Sequence, residues 1–373
     1  MSRTETVAAL PPVGRRLPLS LTILATYRCT AACKDCCFGS NPFIQGEIPL
    51  ERILGYIDQA AKMRTIKLVV FSGGEAFTLG KKLDAAVARC ASHGMLTRIV
   101  SNSYWASTEE FAVRRLSELK AAGLTELNAS TGDYHQHFVP VKNVVNASLA
   151  ALSLGMPMCV MVESRLGRKF SQENLYSDPR LANALEDPRK KRIFKVVESP
   201  WMSNFDTEKT PQRKALLINR KTVNMRRGCK SVIQNIVITP SEKLGACCGL
   251  PREQIPELNV GSLKEKTMEE LYDEVSSDFM KIWLYIEGPE HILAWAGRID
   301  PTIEWEDRYA HQCDACRAVY HDPKVRKVIR EHYQEKMPDI LLRFSMIHKG
   351  DLRHMEGDPV DEPVLLEETP SLA

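Results

Sequence analysis

Four cysteines fall within "CTAACKDCCFGS", residues 29 to 40, and three of them, Cys29, Cys33 and Cys36, make C-x3-C-x2-C. Thiolates this close on one loop can surround a single metal centre. A four-iron cubane is ordinarily held by four cysteines, so three would leave one iron open to an exchangeable ligand. Tetrahedral zinc also uses closely spaced cysteines, and spacing alone does not separate the two. The fourth thiol, Cys37, reads as a small buried apolar side chain. A second set comprises Cys229, the adjacent Cys247 and Cys248, and the C-x2-C of Cys313 and Cys316. Cys90, mid-helix, and Cys159, mid-strand, stand alone and read as core. The stretch "FSGGEAF" adds Gly73 and Gly74, which lack a Cβ and let a backbone approach a ligand. Its Glu75 is an acceptor suited to an ammonium group.

These residues need positioning, and the chain from residue 18 to about 202 supplies a repeating unit. "LSLTILATY", "TIKLVVFSGG", "LTRIVSN", "LTELNAST", "MPMCVMVES" and "IFKVVESPWM" read as buried strands. Helical periodicity lies between them, in "PLERILGYIDQAAKM", "LGKKLDAAVARCASHG", "STEEFAVRRLSELKAAG" and "VKNVVNASLAALSLG". Ser107 is the expected cap of the third helix and Gly123 its stop. A polar helical region spans residues 171 to 192. Six strands alternating with helices argue for a parallel sheet with helices outside. The cysteine stretch, "SGGE", "SNSYW" and "STGDYH" all directly follow strands. Loops after the strands of such a sheet converge, which is where its chemistry is carried.

Beyond residue 203 the pattern changes. Residues 203–228 read as a polar linker. "SVIQNIVITPSEKLGACCG" reads as a hairpin, and "SLKEKTMEELYDEV" as a helix capped by Ser262. A second helical stretch covers 277–297, and a basic helix about 323–336. From residue 351 on, acids dominate, and this tail is expected to be mobile. The expected partition is an N-terminal arm (1–17), a core (18–202), the linker (203–228), a cysteine-rich region (229–336) and an acidic tail (337–373).

The motif order resembles the radical SAM superfamily: C-x3-C-x2-C after the first strand and GGE after the second. That resemblance implies an α/β fold, a partial (β/α)6 TIM-like barrel with a small α+β cysteine-rich extension. It implies that Cys29, Cys33 and Cys36 hold a [4Fe–4S] cluster and that Gly73, Gly74 and Glu75 hold the amino group of S-adenosylmethionine (SAM). SAM cleavage would then give a 5′-deoxyadenosyl radical that abstracts hydrogen. Where the family has an aromatic residue before the third cysteine, this chain has Asp35, and Phe38 is expected to meet the adenine instead. Asn102 and Ser130 correspond to positions near SAM. Asp133 and His135 lie at the barrel mouth as candidate acid/base groups.

The second cysteine set resembles the twitch form of the SPASM extension. That implies an auxiliary [4Fe–4S] cluster on Cys229, Cys247, Cys313 and Cys316, with zinc as the structural alternative and Cys248 the rival of Cys247. The implied activity is oxidation of a peptide or small natural product, with a redox-neutral epimerase or a sugar or cyclitol dehydrogenase as rivals. An electron donor such as flavodoxin or ferredoxin is implied. The cluster motif begins at residue 29, which leaves no room before it for a leader-peptide domain, so a peptide substrate would call for a separate recognition protein.

Other classes are disfavoured. A net charge of +3 over 373 residues gives no footprint for nucleic acid. No apolar run is long enough for a membrane span. The N-terminus lacks the pattern of a signal peptide, so a reducing, cytoplasmic setting is expected for the eleven cysteines.

Overall fold

The computed structural model describes residues 18–204 and 210–356. The expected N-terminal arm, residues 1–17, and the acidic tail from residue 357 on lie outside the described residues. The chain forms two compact units: Leu17–Arg213 joined by Gln234–Leu271, and Lys214–Ile233 joined by the chain from Tyr272 on.

The first unit is built on one sheet. Its first six strands are β1 (Ser20–Leu24), β2 (Leu68–Ser72), β3 (Leu96–Ser101), β4 (Glu126–Thr131), β5 (Met158–Ser164) and β6 (Phe194–Pro200). They are parallel and lie side by side in chain order. All five residues of β1 are buried, as expected of an inner parallel strand covered on both faces. Four long helices cross between the strands: α1 (Leu50–Lys62), α2 (Lys81–Ser92), α3 (Glu109–Ala122) and, after the short α4 (Asp133–Gln136), α5 (Val141–Ser153). α1 buries Ile53, Tyr56, Ile57 and Ala60, and α2 buries Leu83, Ala86, Val87 and Cys90. Both follow the i, i+3, i+4, i+7 spacing of one helix face. The polar region after β5 is three short helices, α6 (Gln172–Tyr176), α7 (Pro179–Ala184) and α8 (Pro188–Arg192).

The sheet does not close. β7 (Asn235–Ile238) pairs in parallel with β1, and β8 (Lys243–Gly245) and β9 (Asn259–Ser262) follow antiparallel, so β6 and β9 are the two edges. The expected hairpin is present as β7 and β8, and it extends this sheet. One face carries Ile23, Val69, Phe71, Ile99, Leu127, Ala129 and Val160, all buried. On the opposite face Arg98 and Glu126, paired in register, form an ion pair at 2.8 Å. Cys159 lies on that second face beside Asn128 and is only half-buried, so it is not the core residue expected; Cys90 is fully buried.

Two caps differ from expectation. α3 is capped by Thr108, whose hydroxyl accepts from the Phe111 N–H at 3.2 Å, one residue beyond Ser107. Ser262 ends β9, and the helix it was expected to cap begins at Met268. There Thr267 accepts from the Glu270 N–H at 3.2 Å while the Glu270 carboxylate accepts from the Thr267 N–H at 2.8 Å, a reciprocal capping box.

The second unit is helical: Phe279–Ile286, Pro289–Ile299, Gln312–His321, Pro323–His332 and Met337–Glu356. Trp283 and Trp295 meet edge-on at 5.0 Å between ring centroids, and Tyr285 meets Phe344 at 6.0 Å. Residues 337–356, expected as the start of an acidic tail, are a helix that buries Ile340 and Phe344. The stretch read as a linker contributes too, since Ile218 is buried and its N–H donates to the Tyr309 carbonyl at 2.9 Å. Among the described residues no helix is long and apolar enough to cross a membrane.

Candidate active site at the carboxyl edge of the sheet

The loops after β1 to β6 all leave from the same edge of the sheet. The loop after β1 carries the cysteine triplet. It is pinned at both ends: Thr26 bridges to Glu47, Arg28 bridges to Asn41, and the Cys29 N–H donates to the Asn41 carbonyl at 3.2 Å. Inside it, the Cys36 N–H reaches the Cys33 carbonyl at 3.3 Å and the Gly39 N–H the Cys36 carbonyl at 2.8 Å. Cys29 is buried, and Cys33 and Cys36 are half-buried. The Cys29 sulfur accepts from the Ala31 N–H at 3.4 Å and from Asn102 Nδ2 at 3.6 Å.

Burial, and then the mutual repulsion of the thiolates, pushes the Cys33 thiol up to about 12; burial likewise pushes Cys29 up to about 11. Three soft donors within reach of one another's fields, one already met by N–H donors, suit a cationic iron–sulfur centre that takes up the thiolates as it forms. Among the described residues no three His, Cys, Asp or Glu side chains converge closely enough to hold a single ion. Three cysteines on one short loop are a donor set that would suit a four-iron cluster.

Asp35 occupies this loop for a backbone reason. Its φ is +58°, in the left-handed region that Asp and Asn tolerate better than aromatic residues. Its carboxylate accepts from Ser203 Oγ at 3.3 Å and the Asn204 N–H at 3.4 Å, while Asn204 Nδ2 donates to the Cys36 carbonyl at 2.6 Å. The segment after β6 thus clasps the loop after β1, although the sheet itself is open. Phe38, expected against adenine, lies half-buried with its ring stacked 6.0 Å from that of Tyr27. Burial raises the Cys37 thiol, which lies in the field of Arg252 and Glu253.

The glycines after β2 are explained by this loop. A Cβ on Gly74 would lie 2.1 Å from the Arg28 carbonyl oxygen, and one on Gly73 would lie 2.4 Å from that of Thr26. The Gly74 N–H donates to the Thr26 carbonyl at 2.8 Å and the Glu75 N–H to the Arg28 carbonyl at 2.9 Å. The Glu75 carboxylate, read from the sequence as an acceptor suited to an ammonium group, is turned into the protein. It is 1% exposed and already accepts from the Phe77 N–H (3.0 Å), Ser101 Oγ (2.9 Å) and the Asn102 N–H (2.8 Å). It joins the end of β2 to the end of β3.

Burial raises Glu75 from its ordinary 4.5 to about 7, against the lowering effect of those three donors. The folded state therefore holds this proton more tightly than the unfolded chain. Stability contributed by the protonated form is complete below pH 4.5 and is lost as pH rises through about 7. Glu75→Gln is expected to flatten that part of the pH profile. Its amide would also face the Asn102 N–H donor to donor, so the variant is less stable than wild type at low pH by about 1–3 kcal/mol. Urea melts at several pH values check this; equal pH slopes for the two proteins would exclude Glu75 as the titrating group.

Asn102 is buried and links three features. Besides meeting Cys29, its Nδ2 donates to Thr30 Oγ1 at 3.1 Å, and its Oδ1 accepts from the Tyr104 N–H at 2.9 Å. Ser130 lies near the end of β4, paired in register with the exposed Met161. Asp133 and His135 sit on α4 and differ in availability. The Asp133 carboxylate accepts from Arg165 Nη2 at 2.5 Å, the Lys169 N–H at 3.0 Å and the Phe170 N–H at 2.7 Å. It organises the loop after β5. Among the described residues the His135 ring makes one bond, Nδ1 to Glu163 Oε2 at 3.3 Å, and stands edge-on to Trp201.

Glu163, Arg165, Trp201 and Asn204 were not singled out from the sequence. They follow the strand-end rule that found the others, applied to β5 and β6. Gly132 marks the spot, since a Cβ there would meet Glu163 Cγ at 1.8 Å.

In the helical unit, Cys313 and Cys316 are one turn apart on Gln312–His321 and share a face. Gln312 Nε2 donates to the Arg227 carbonyl at 3.2 Å, which ties the start of that helix to the chain just before Cys229. The Cys229 N–H donates to the Leu284 carbonyl at 2.9 Å. Cys247 and Cys248 follow β8 in the sheet unit, the first buried and the second exposed.

A parallel sheet with a three-cysteine loop after its first strand and a glycine pair after its second defines a class, and comparison with known proteins agrees. Residues 23–145 match the Radical SAM superfamily. That stretch is similar to a family whose cofactors are SAM and a [4Fe–4S] cluster, and the C-terminal region that follows it is cysteine-rich. The chain is 27% identical over 127 residues to the putative peptide biosynthesis protein YydG of Bacillus subtilis (strain 168); the match covers 34% of this chain and 40% of that relative. The structure of native anSMEcpe with bound AdoMet and Cp18Cys peptide has the same fold. It aligns over 88% of this chain and 99% of that one, at a TM-score of 0.51 and 13% identity. BtrN in complex with AdoMet and 2-DOIA aligns over 80% of this chain and 99% of its own, at a TM-score of 0.42 and 14% identity.

Proposed function

We propose that this enzyme oxidises a peptide by hydrogen abstraction, with a second cluster on Cys229, Cys247, Cys313 and Cys316. The observation that carries the radical chemistry is the single edge on which the Cys29 loop, the Gly73–Glu75 turn and Asn102 are bonded together. With the cluster and SAM bound, the site would supply radical hydrogen-abstraction chemistry. The residues of the chain set where this happens. Cys29, Cys33 and Cys36 hold the cluster, and Asn102 donates to the Cys29 sulfur. The Gly73–Glu75 backbone, Phe38 and Ser130 bind SAM. Asp133 holds the loop after β5, and His135, oriented by Glu163, faces the substrate as the acid/base group. The peptide assignment is supported by the similarity to YydG, a putative peptide biosynthesis protein, and electrons come from a flavodoxin or ferredoxin. A separate protein presents the leader peptide, and the setting is cytoplasmic.

Cys313→Ala/Cys316→Ala tests the second cluster. After anaerobic reconstitution, iron is expected to fall from about eight to about four per chain, with reductive SAM cleavage retained and loss of two hydrogens from product abolished. Four irons in both proteins, with zinc in the wild type, would rule out the oxidative role. The exposure of Cys248 favours one rival, a redox-neutral epimerase in which that thiol returns a hydrogen atom. Deuterium gain in product made in D2O, lost in Cys248→Ala, would select it.

A further inference from the structure

A cleft of about 330 Å³ opens beside the end of β5, lined by Arg165, Leu166, Arg168, Lys169, Glu173 and Arg213 among others. Its cations are not equivalent. Arg165 is held by Asp133 at 2.5 Å and lies over the Tyr134 ring. Arg168 is held by Glu198 at 2.7 Å and by Ser164 Oγ at 2.8 Å. These two are neutralised and fixed. Among the described residues the Lys169 ammonium and the Arg213 guanidinium have no such partner. The lining offers them one acid, the exposed Glu173. One positive charge is left over in a concave site beside an exposed Leu166. The backbone of Lys169 is also the one tied to Asp133, the residue before the Tyr134–His135 pair.

We propose that this cleft binds one carboxylate of the substrate, with Lys169 and Arg213 as its partners and Leu166 against the neighbouring apolar chain. This rests on the peptide reading above and adds a substrate class to it: a peptide bearing an acidic group near the reacting residue. The carboxylate has two possible sources, an Asp or Glu side chain or the end of the peptide.

The experiment uses the reconstituted full chain and three dye-labelled peptides: a C-terminally amidated Ala/Gly peptide with one Glu, the same peptide with Gln, and the Gln peptide with a free C-terminus. Wild type is expected to prefer the Glu peptide over the Gln peptide by about tenfold, as for a charge-assisted pair, and the preference shrinks as salt rises. Lys169→Ala/Arg213→Ala is expected to bring the ratio to within about twofold, with melting midpoint and iron content unchanged. A preference for the free C-terminus instead supports the site and assigns its source. Equal binding of all three peptides by wild type, or an unchanged preference in the double variant, overturns the proposal. Inorganic phosphate binding more tightly than any peptide overturns it in favour of a free-phosphate site. The binding ratio is read without turnover, so it stands apart from the SAM-cleavage assay that tests the radical reading.

Discussion

Changing Cys29, Cys33 and Cys36 together to alanine is expected to remove about four irons per chain and to abolish reductive cleavage of SAM. A total effect is expected because all three proposed donors sit on one loop. That loop is shaped by backbone bonds to Asn41, Cys33 and Cys36 rather than by the sulfurs themselves. Thr26 and Arg28 also remain bridged to Glu47 and Asn41. The variant is therefore expected to keep its sheet, its far-ultraviolet circular dichroism and any metal on the C-terminal cysteines. Iron and acid-labile sulfide per chain, with 5′-deoxyadenosine formed under dithionite, give the measurement. Full SAM cleavage by the triple variant would place the cluster elsewhere. Zinc in place of iron in the wild type would end the radical assignment for this loop.

The sequence made the positions of the elements legible and left their long-range partners hidden. Alternating runs such as "LTRIVSN" and the i, i+3, i+4, i+7 face of α1 report local burial, so β1 to β6 and the long helices could be read directly. Motifs at strand ends could be assigned to one edge because a parallel sheet leaves its loops there. Two hydroxyls in a row, Ser107 and Thr108, made the cap ambiguous by one residue. A hairpin signal says that β7 and β8 exist, but not that β7 adds in parallel to β1 across some two hundred residues of chain. The same limit hid the clasp of Asp35 by Ser203 and Asn204. It also hid the role of Glu75, whose partners lie on β3 and in the turn after it. A carboxylate after a glycine pair looks like an acceptor for an ammonium group; only the fold shows the three protein donors it also meets.

Gly74→Ala is expected to release the cluster while leaving every cysteine in place. The new Cβ would stand 2.1 Å from the Arg28 oxygen, 2.5 Å from its carbonyl carbon and 2.6 Å from the Tyr27 carbonyl carbon. All three are backbone atoms of the segment that leads into Cys29, so no side-chain rotation relieves the clash. The turn after β2 must move away from that segment. In doing so it lengthens the Gly74–Thr26 and Glu75–Arg28 hydrogen bonds. Overpacking of this kind costs about 1–3 kcal/mol, and two weakened backbone bonds add about 1 kcal/mol each. The total is a large part of a domain's stability of about 5–15 kcal/mol, and it falls on the loop that must hold three thiolates in place. Gly55→Ala is the matched control. Gly55 lies within α1, where an added Cβ meets nothing within 4 Å. Alanine there should stabilise by about 1 kcal/mol and keep full iron content. Thermal melts and iron retention after gel filtration compare the two variants. If Gly74→Ala held iron as firmly as Gly55→Ala, the glycine pair would not be there to let the two backbones touch, and a direct approach to the cofactor would be the better account of it.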